Sequence, residues 1–461
     1  MTERLKRSLL YTYGIGDLFF MLLVNMELVF FPQFLTDYAQ FPLSIFNRII
    51  LITSLIDILC SLIAGVILQR VTFRFGGKYR SWFLFGPPIV AVLFVLQFVK
   101  VGSDSVAATV IIFAFVASHL VWNIVFTASG AMVGRLSRLP DERTILSANR
   151  AQGVTAGSLI FSATAPPMIM FFGDRTNRIT GLTITVGVFA VLMIIGYYYV
   201  YKLTAGKDPD DELAVDALKN ESKPSVRTIV GLVLRNSPLL RLTLAESFRN
   251  ASLFISAGLA TYYFTYVLHN SVFLSVYLLC TSVAALIGAL AASWIGARIG
   301  KRNCYWICLA LSALFCAAAR ILGGSAWIFT AVLSIAFFFI NLAGAMSTAL
   351  FSDTVIYGEW KTGKNIRAFA MAMIAFSAKI GVLLRGAVMA LGFSAMQFVA
   401  NAVPTPRVIS GISSLMTLAP AAACVIAAII FYYGYKIEDK HVLQMQNEIA
   451  AQRVGEPVSI E

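Results

Sequence analysis

Asp57 is a carboxylate in the middle of an apolar run, and Thr53, Ser54 and Ser61 stand three or four positions from it. On a helix those offsets fall on one side, so the run carries a stripe of one carboxyl and three hydroxyls. A charge inside an apolar span costs ~3 kcal/mol on insertion scales and persists where it meets a partner or lines a polar path. Sodium prefers several oxygen ligands, and one carboxylate with hydroxyls is a thin set. A proton needs only one carboxyl whose affinity is tuned by burial and a nearby cation. The stripe therefore points to a proton more than to sodium; a fixed ion pair between Asp57 and Lys379 or an arginine is the structural alternative.

Further polar groups recur inside apolar runs. Lys379 and Arg385 share one run, six positions apart and so on different faces. Arg249 stands beside Asn250 with Glu246 three residues earlier, a spacing that suits a local structural pair. His119, Trp122 and Asn123 occupy one turn of another run, where His119 can relay a proton or serve packing equally well. In the first run Asp17 and Asn25 share a face while Glu27 is turned about a third of the way round. Asp17, near the cytoplasmic end of that run, is expected to meet a basic loop residue such as Arg74 or Arg80 and so close a gate. The stretch from Asp353 to Gly363, which includes Glu359, reads as a charged turn between two apolar runs.

These residues sit in a chain that is 59% hydrophobic and 13% charged, with mean hydropathy +0.80. Soluble domains are nearer ~45–50% apolar. A membrane span needs ~20 mostly apolar residues, and spans are predicted at 9–35, 43–69, 81–100, 105–134, 147–172, 180–202, 238–267, 271–297, 303–322, 326–351, 366–396 and 408–436. Basic residues collect before the first span and after every second one, which places both termini in the cytoplasm. That distribution also accounts for the net charge of +13 without a nucleic-acid partner, because it forms no continuous patch. The first run is too long, and carries Asp17 and Glu27, for a cleaved signal peptide. The six cysteines lie in or at the ends of spans, so neither a disulfide framework nor a metal site is expected. No Ser/His/Asp set or phosphate loop suggests an enzyme or a cofactor.

A polar stretch divides the spans six and six. The expected organisation is an N-terminal bundle at 1–205, a cytoplasmic linker at 206–230, a C-terminal bundle at 231–438 and a cytoplasmic tail at 439–461. Arg74-Phe-Gly-Gly-Lys-Tyr-Arg-Ser-Trp82 and Arg298-Ile-Gly-Lys-Arg-Asn-Cys-Tyr-Trp306 place Arg, Gly and Trp at equal offsets after the second and eighth spans. Duplicated six-span halves are the major facilitator arrangement. The expected fold is therefore an all-α membrane protein of twelve transmembrane helices in two six-helix bundles.

The motifs carry a more specific likeness: Tyr13-Gly-Ile-Gly-Asp17, Thr36-Asp37, Gly77-Lys-Tyr-Arg-Ser-Trp82, Asp141-Glu-Arg143, Tyr262-Tyr-Phe-Thr-Tyr266, Asp353-Thr-Val and Tyr357-Gly-Glu-Trp-Lys-Thr-Gly363. With them the chain resembles the glycoside-pentoside-hexuronide:cation symporters, the melibiose permease family, nearly end to end. The resemblance implies a cation- or proton-coupled symporter of sugars, glycosides or sugar acids that alternates between outward-open and inward-open states. It matches the family's two cation-site carboxylates of the second span to Asp57 and Ser61, and its two sugar carboxylates to Met21 and Asn123. The fifth-span arginine and eleventh-span lysine match Arg150 and Lys379. The acidic half of the site is thus depleted, which favours a proton over sodium and an anionic solute over a neutral sugar.

The expected substrate contacts are Met21, Asn25, Trp122, Asn123, Arg150, Asn250 and Lys379, with Thr53, Ser54, Asp57 and Ser61 as the coupling group. Trp122, Tyr262 and Tyr263 could stack on a sugar or simply pack. Asp17, Arg143, Asp353 and Glu359 are expected to act as a gate, with opposite charges meeting across the two halves. The protein is expected to act as a monomer in the bilayer of a bacterial inner membrane. An exporter, a carrier of lipid-like solutes, or a non-transporting sensor are the alternatives.

Overall fold

The computed structural model describes residues 4–71, 73, 77–137, 139–208, 236–363 and 367–454. Most of the expected linker, together with Arg74 and Lys364, lies outside them. The described residues are helical with short connections and contain no strand. In chain order the helices are α1 (Arg7–Tyr38), α2 (Leu43–Arg70), α3 (Arg80–Leu96), α4 (Asp104–Leu136), α5 (Pro140–Arg175), α6 (Arg178–Leu203), α7 (Ser237–Tyr262), α8 (Phe273–Ile299), α9 (Lys301–Leu322), α10 (Ala326–Thr362), α11 (Arg367–Met396), α12 (Pro406–Gly434) and α13 (Asp439–Val454). Ten of these are long and apolar enough to cross a membrane. The third and seventh predicted spans are occupied by α3, which is only 17 residues long, and by α7, which carries Arg241, Glu246 and Arg249.

Two predicted boundaries are corrected. Asp353 to Thr362 is not a turn but the last part of the 37-residue α10, which closes at Gly363 with φ 67°. Residues such as Val355, Ile356, Tyr357 and Trp360 continue the helix, and only the glycine adopts the left-handed conformation that ends it. Likewise Asp141, Glu142 and Arg143 belong to the first turn of α5 rather than preceding it. Pro140 fits the first helical position, and the two acids face the positive end of the helix dipole.

The contacts group the chain into two compact units. The first is Met1–Asn220 with Ala257–Leu279 and Ala390–Ile409; the second is Glu221–Ser256 with Cys280–Met389 and Ser410–Glu461. The division runs through α7, α8, α11 and α12.

Within the first unit, α1 packs on α5 and α6. Glycine makes the α1–α5 approach possible: a Cβ added at Gly153 would collide with the Gly14 carbonyl, and one at Gly157 with the Leu18 carbonyl and the Met21 side chain. Small residues four apart let helix backbones come close where no water is displaced to drive them together. The Asn149 amide completes the crossing by accepting from Gly14 N at 2.6 Å and donating to Tyr11 O at 2.7 Å.

Both α1 and α7 finish in a single π-helical turn, at Phe34–Tyr38 and Tyr263–Val267, followed by left-handed residues Gln40 and His269. Phe34 to Tyr263, Gln40 to His269 and Asp17 to Glu246 are equally spaced along the chain. This common distortion marks α1 and α7 as corresponding helices of a repeat. It also identifies Asp17 and Glu246 as corresponding buried carboxylates.

Candidate functional site

The close α1–α5 crossing brings Asp17 opposite Arg150. Arg150 Nε donates to Asp17 Oδ2 at 2.6 Å and Nη2 to Oδ1 at 3.3 Å. Ser129 Oγ from α4 lies 3.2 Å from Asp17 Oδ2, and the Tyr197 hydroxyl from α6 donates to Oδ1 at 3.4 Å. Tyr13 secures the same corner by donating to the Ser129 carbonyl at 2.8 Å. Four helices thus converge on one carboxylate. The Asp17 side chain is fully buried and that of Arg150 is 19% exposed. A guanidinium carries five N–H donors, and Nη1 of Arg150 has no hydrogen-bond partner among the described residues. The expected meeting of Asp17 with a basic loop residue is therefore replaced by a pair within the bundle. Arg80 instead donates from Nε to the Tyr201 carbonyl.

Further along α1, Asn25 donates to Ser158 Oγ of α5 at 3.1 Å, and Met21 is half-buried against Gly157. On α2, Thr53, Ser54 and Asp57 are buried. The three hydroxyls of Thr53, Ser54 and Ser61 each donate to a carbonyl of their own helix, at 2.6 to 2.7 Å. Their lone pairs stay available, but all on one helix. Asn123 of α4 donates to its own helix at His119 O, 2.7 Å, and more weakly to Asp57 Oδ1 at 3.4 Å.

Trp122 requires a correction. It is enclosed rather than presented to a solute: its ring stacks within 12° of both Phe94 and His119, and Phe20 approaches to 4.1 Å between centroids. Three apolar or aromatic neighbours make it core. Tyr262 is packed similarly, between Tyr266, Phe393 and Phe398.

One juxtaposition is not legible in the spacing. His119 Nε2 stands 3.0 Å from Glu27 Oε2, both side chains being less than a tenth exposed, although the contact lacks the alignment of a good hydrogen bond. A second lies at the end of α1. There Thr36 Oγ1 is 2.8 Å from the Tyr262 hydroxyl, and Asn401 donates to Asp37 O at 2.7 Å and to the Tyr266 hydroxyl at 2.8 Å. Beside this network a cavity of about 450 Å³ is lined by Gln33, Asp37, Asp174, Asn177, Arg178 and Asn401, among others.

In the second unit, Arg249 pairs with Glu246 on the same helix, Nη2 to Oε1 at 2.5 Å and Nε to Oε2 at 2.9 Å. Tyr305 of α9 donates to Glu246 Oε2 at 2.8 Å, and Gly344 of α10 leaves room for the guanidinium. Asn250 accepts from Arg249 at 2.9 Å and reaches Ser377 of α11 at 3.5 Å; Lys379, two residues on, is half-buried. The residues expected to gate make contacts inside their own units. Lys301 Nζ bonds Asp353 at 2.8 Å, Arg143 Nε donates to Ser137 O at 2.6 Å, and Trp360, beside Glu359, donates to Glu448.

Helices of this length around buried charge networks are what a solute carrier requires, and the profile of the family described as MFS/sugar transport protein matches residues 12–439. The chain belongs to that family. Proteins similar to this chain include an uncharacterized symporter, YjmB, of Bacillus subtilis, 26% identical over 453 residues that span 97% of this chain and 96% of the relative. An Escherichia coli protein provisionally named a sulfoquinovose importer is 26% identical over 441 residues, 95% of this chain and 92% of the relative. The glucuronide carrier protein homolog of Escherichia coli is 25% identical over 462 residues, 97% and 96% respectively. Among solved structures, the nucleoside transporter NupG superposes with a TM-score of 0.64 at 14% identity, covering 93% of this chain and all of that one. A point mutant of the peptide transporter POT gives 0.64 at 13% identity over 95% of each chain. At such identities the likeness is one of fold. This MFS/sugar transport family member is a multi-pass membrane protein and a transporter, not an enzyme.

Proposed function

We propose that this chain is a proton-coupled symporter of an acidic sugar derivative, such as a hexuronide, working as a monomer in a bacterial inner membrane with both termini cytoplasmic. The observation that carries the reading is Arg150: Asp17 fixes its orientation while Nη1 stays uncommitted on a partly exposed side chain. A guanidinium held at one edge is prepared to take a carboxylate or sulfonate at the other. Lys379 adds a second cation on α11, and Asn25, Asn123 and Asn250 supply amides suited to sugar hydroxyls. The names of the sulfoquinovose and glucuronide relatives support an acidic solute. Alternate basic loops support the orientation.

Asp57 is the proposed coupling carboxylate, with Thr53, Ser54 and Ser61 keeping its surroundings polar. Asp353 with Lys301, and Arg143 at the start of α5, are proposed as contacts that rearrange as the carrier changes face. The test is uptake into proteoliposomes of methyl β-D-glucuronide against methyl β-D-glucoside. The acidic compound should be taken up preferentially, and Arg150→Gln and Lys379→Gln should each weaken its binding by ~2–5 kcal/mol, the range for truncating a buried charged contact. Equal handling of the two compounds by the parent protein rejects the anionic assignment.

A further inference from the structure

Glu27 and His119 are buried, titratable and absent from the substrate and coupling sets above. The ring of His119 is fixed from one side: Nδ1 lies 3.0 Å from the Phe115 carbonyl, and the ring stacks on Phe115 at 3.8 Å between centroids and 3°. A carbonyl only accepts, so Nδ1 carries the proton. In a neutral ring Nε2 then carries a lone pair, and it lies 3.0 Å from Glu27 Oε2, off the line of a good hydrogen bond. A buried carboxylate beside a neutral imidazole is an uncompensated charge, and one proton on either residue removes it. Either imidazolium faces carboxylate or carboxylic acid faces imidazole; both arrangements hold one proton and no net charge.

We infer that Glu27 and His119 form a buried one-proton site on α1 and α4 that takes part in proton coupling. The inference rests on the proposed proton symport. The surrounding charges are consistent with it. On α2 the carboxylate is Asp57, linked to the backbone of His119 by Asn123, whose amide donates both to His119 O and to Asp57 Oδ1. On α5 and α6 the titratable groups Arg150 and Tyr197 are engaged with Asp17, further back along α1. From α3 the polar group is Gln97, which donates to Ser118 at 2.6 Å, next to His119. Removal of the shared proton leaves an unbalanced negative charge on the pair, and Asn123, which touches both His119 O and Asp57, is the link through which the pair and Asp57 sense each other. A solute or conformational change that acts on one acts on the other. A single carboxylate would lack this cooperation.

The experiment compares the parent with Glu27→Gln and His119→Gln in proteoliposomes, with methyl β-D-glucuronide as probe. Under a gradient of one pH unit the parent should approach about tenfold accumulation, the limit for one proton per solute. Each variant should lose accumulation while retaining exchange of labelled for unlabelled glucuronide. Undiminished accumulation in either variant overturns the inference, and so does loss of exchange together with accumulation in protein that still unfolds cooperatively, since the pair is then a positioning contact. A parent that moves no glucuronide rejects the proposed substrate instead. The pair is then judged without substrate, from nitrogen NMR of the His119 ring: the Nε2 signal should differ between parent and Glu27→Gln at one pH, and identical spectra overturn the shared proton.

Discussion

Asp17 and Glu246 occupy corresponding places on corresponding helices, yet they are held in different ways. Asp17 takes its arginine from another helix, α5, and further donors from α4 and α6. Glu246 takes its arginine from its own helix three residues on, and a tyrosine from α9. The first ion pair depends on helices staying in register; the second is closed within α7, with α9 and α10 packed around it. Exposure follows the same division, at 19% for the side chain of Arg150 and 9% for that of Arg249. One buried carboxylate position is thus paired between helices in one unit and within a single helix in the other, and we propose that the first is an adjustable junction and the second a structural clamp.

The strongest way to break this comparison is to remove each arginine. Arg249→Gln leaves Glu246 charged and buried, and should cost ~3–5 kcal/mol, the range for an uncompensated buried charge. Arg150→Gln should cost less, because Asp17 keeps Ser129 and Tyr197. Neutralising both partners removes the unpaired charge and should recover most of the stability in each unit. The functional outcomes should then part: Glu246→Gln with Arg249→Gln should still transport, and Asp17→Asn with Arg150→Gln should not. Thermal unfolding with uptake of a glucuronide reads both. Loss of transport in the α7 double variant with stability recovered would show that Glu246–Arg249 is more than a clamp.

A smaller effect is expected from the α1–α5 crossing that positions the junction. In Gly157→Val the new side chain meets the Leu18 carbonyl and Met21. Forcing volume into such a contact costs ~1–3 kcal/mol. The same displacement should lengthen the Asp17–Arg150 contact and lower transport more than stability. Cysteines placed across the crossing should form a disulfide more slowly in the variant. An unchanged rate would mean that the glycine is tolerant and that the helices are held elsewhere.

How far the sequence discloses this arrangement depends on the range of the interaction. Glu246 and Arg249 are three positions apart, so helical geometry alone predicts their pairing. Apolar run length locates the spans for the same reason. Asp17 with Arg150 and Glu27 with His119 lie across helix contacts, where the rotation of each helix decides which side chains meet, and a one-dimensional pattern does not contain that rotation. Gly153 and Gly157 are the available signal for the α1–α5 contact, as a small-residue pair four apart. The polar residues of Asp353–Gly363 conceal the last part of α10, because turn-like composition at a helix end is also what solvent exposure selects. The type of Trp122 suits stacking on a sugar and packing alike, and the sequence leaves both open; burial among Phe20, Phe94 and His119 is a three-dimensional fact.

The finest distinction between the two carboxylates lies in their tyrosines. Tyr305 donates to Glu246 at 2.8 Å, whereas the Tyr197 contact with Asp17 is 3.4 Å, near the limit of a useful hydrogen bond. Hydrogen bonds to charged groups are worth ~1.5–3 kcal/mol when well made and fall quickly with length. Tyr305→Phe should therefore lower stability by ~1.5 kcal/mol or more, and Tyr197→Phe by under ~1 kcal/mol. Both rings are fully buried, so the phenylalanine keeps the packing and isolates the hydroxyl. The ranking should reverse for transport: the loose Tyr197 contact belongs to the proposed adjustable junction, and its loss should change the exchange rate while Tyr305→Phe leaves that rate near the parent's. Equal unfolding shifts for the two variants, together with equal exchange rates, would remove the distinction between a junction that adjusts and a clamp that does not.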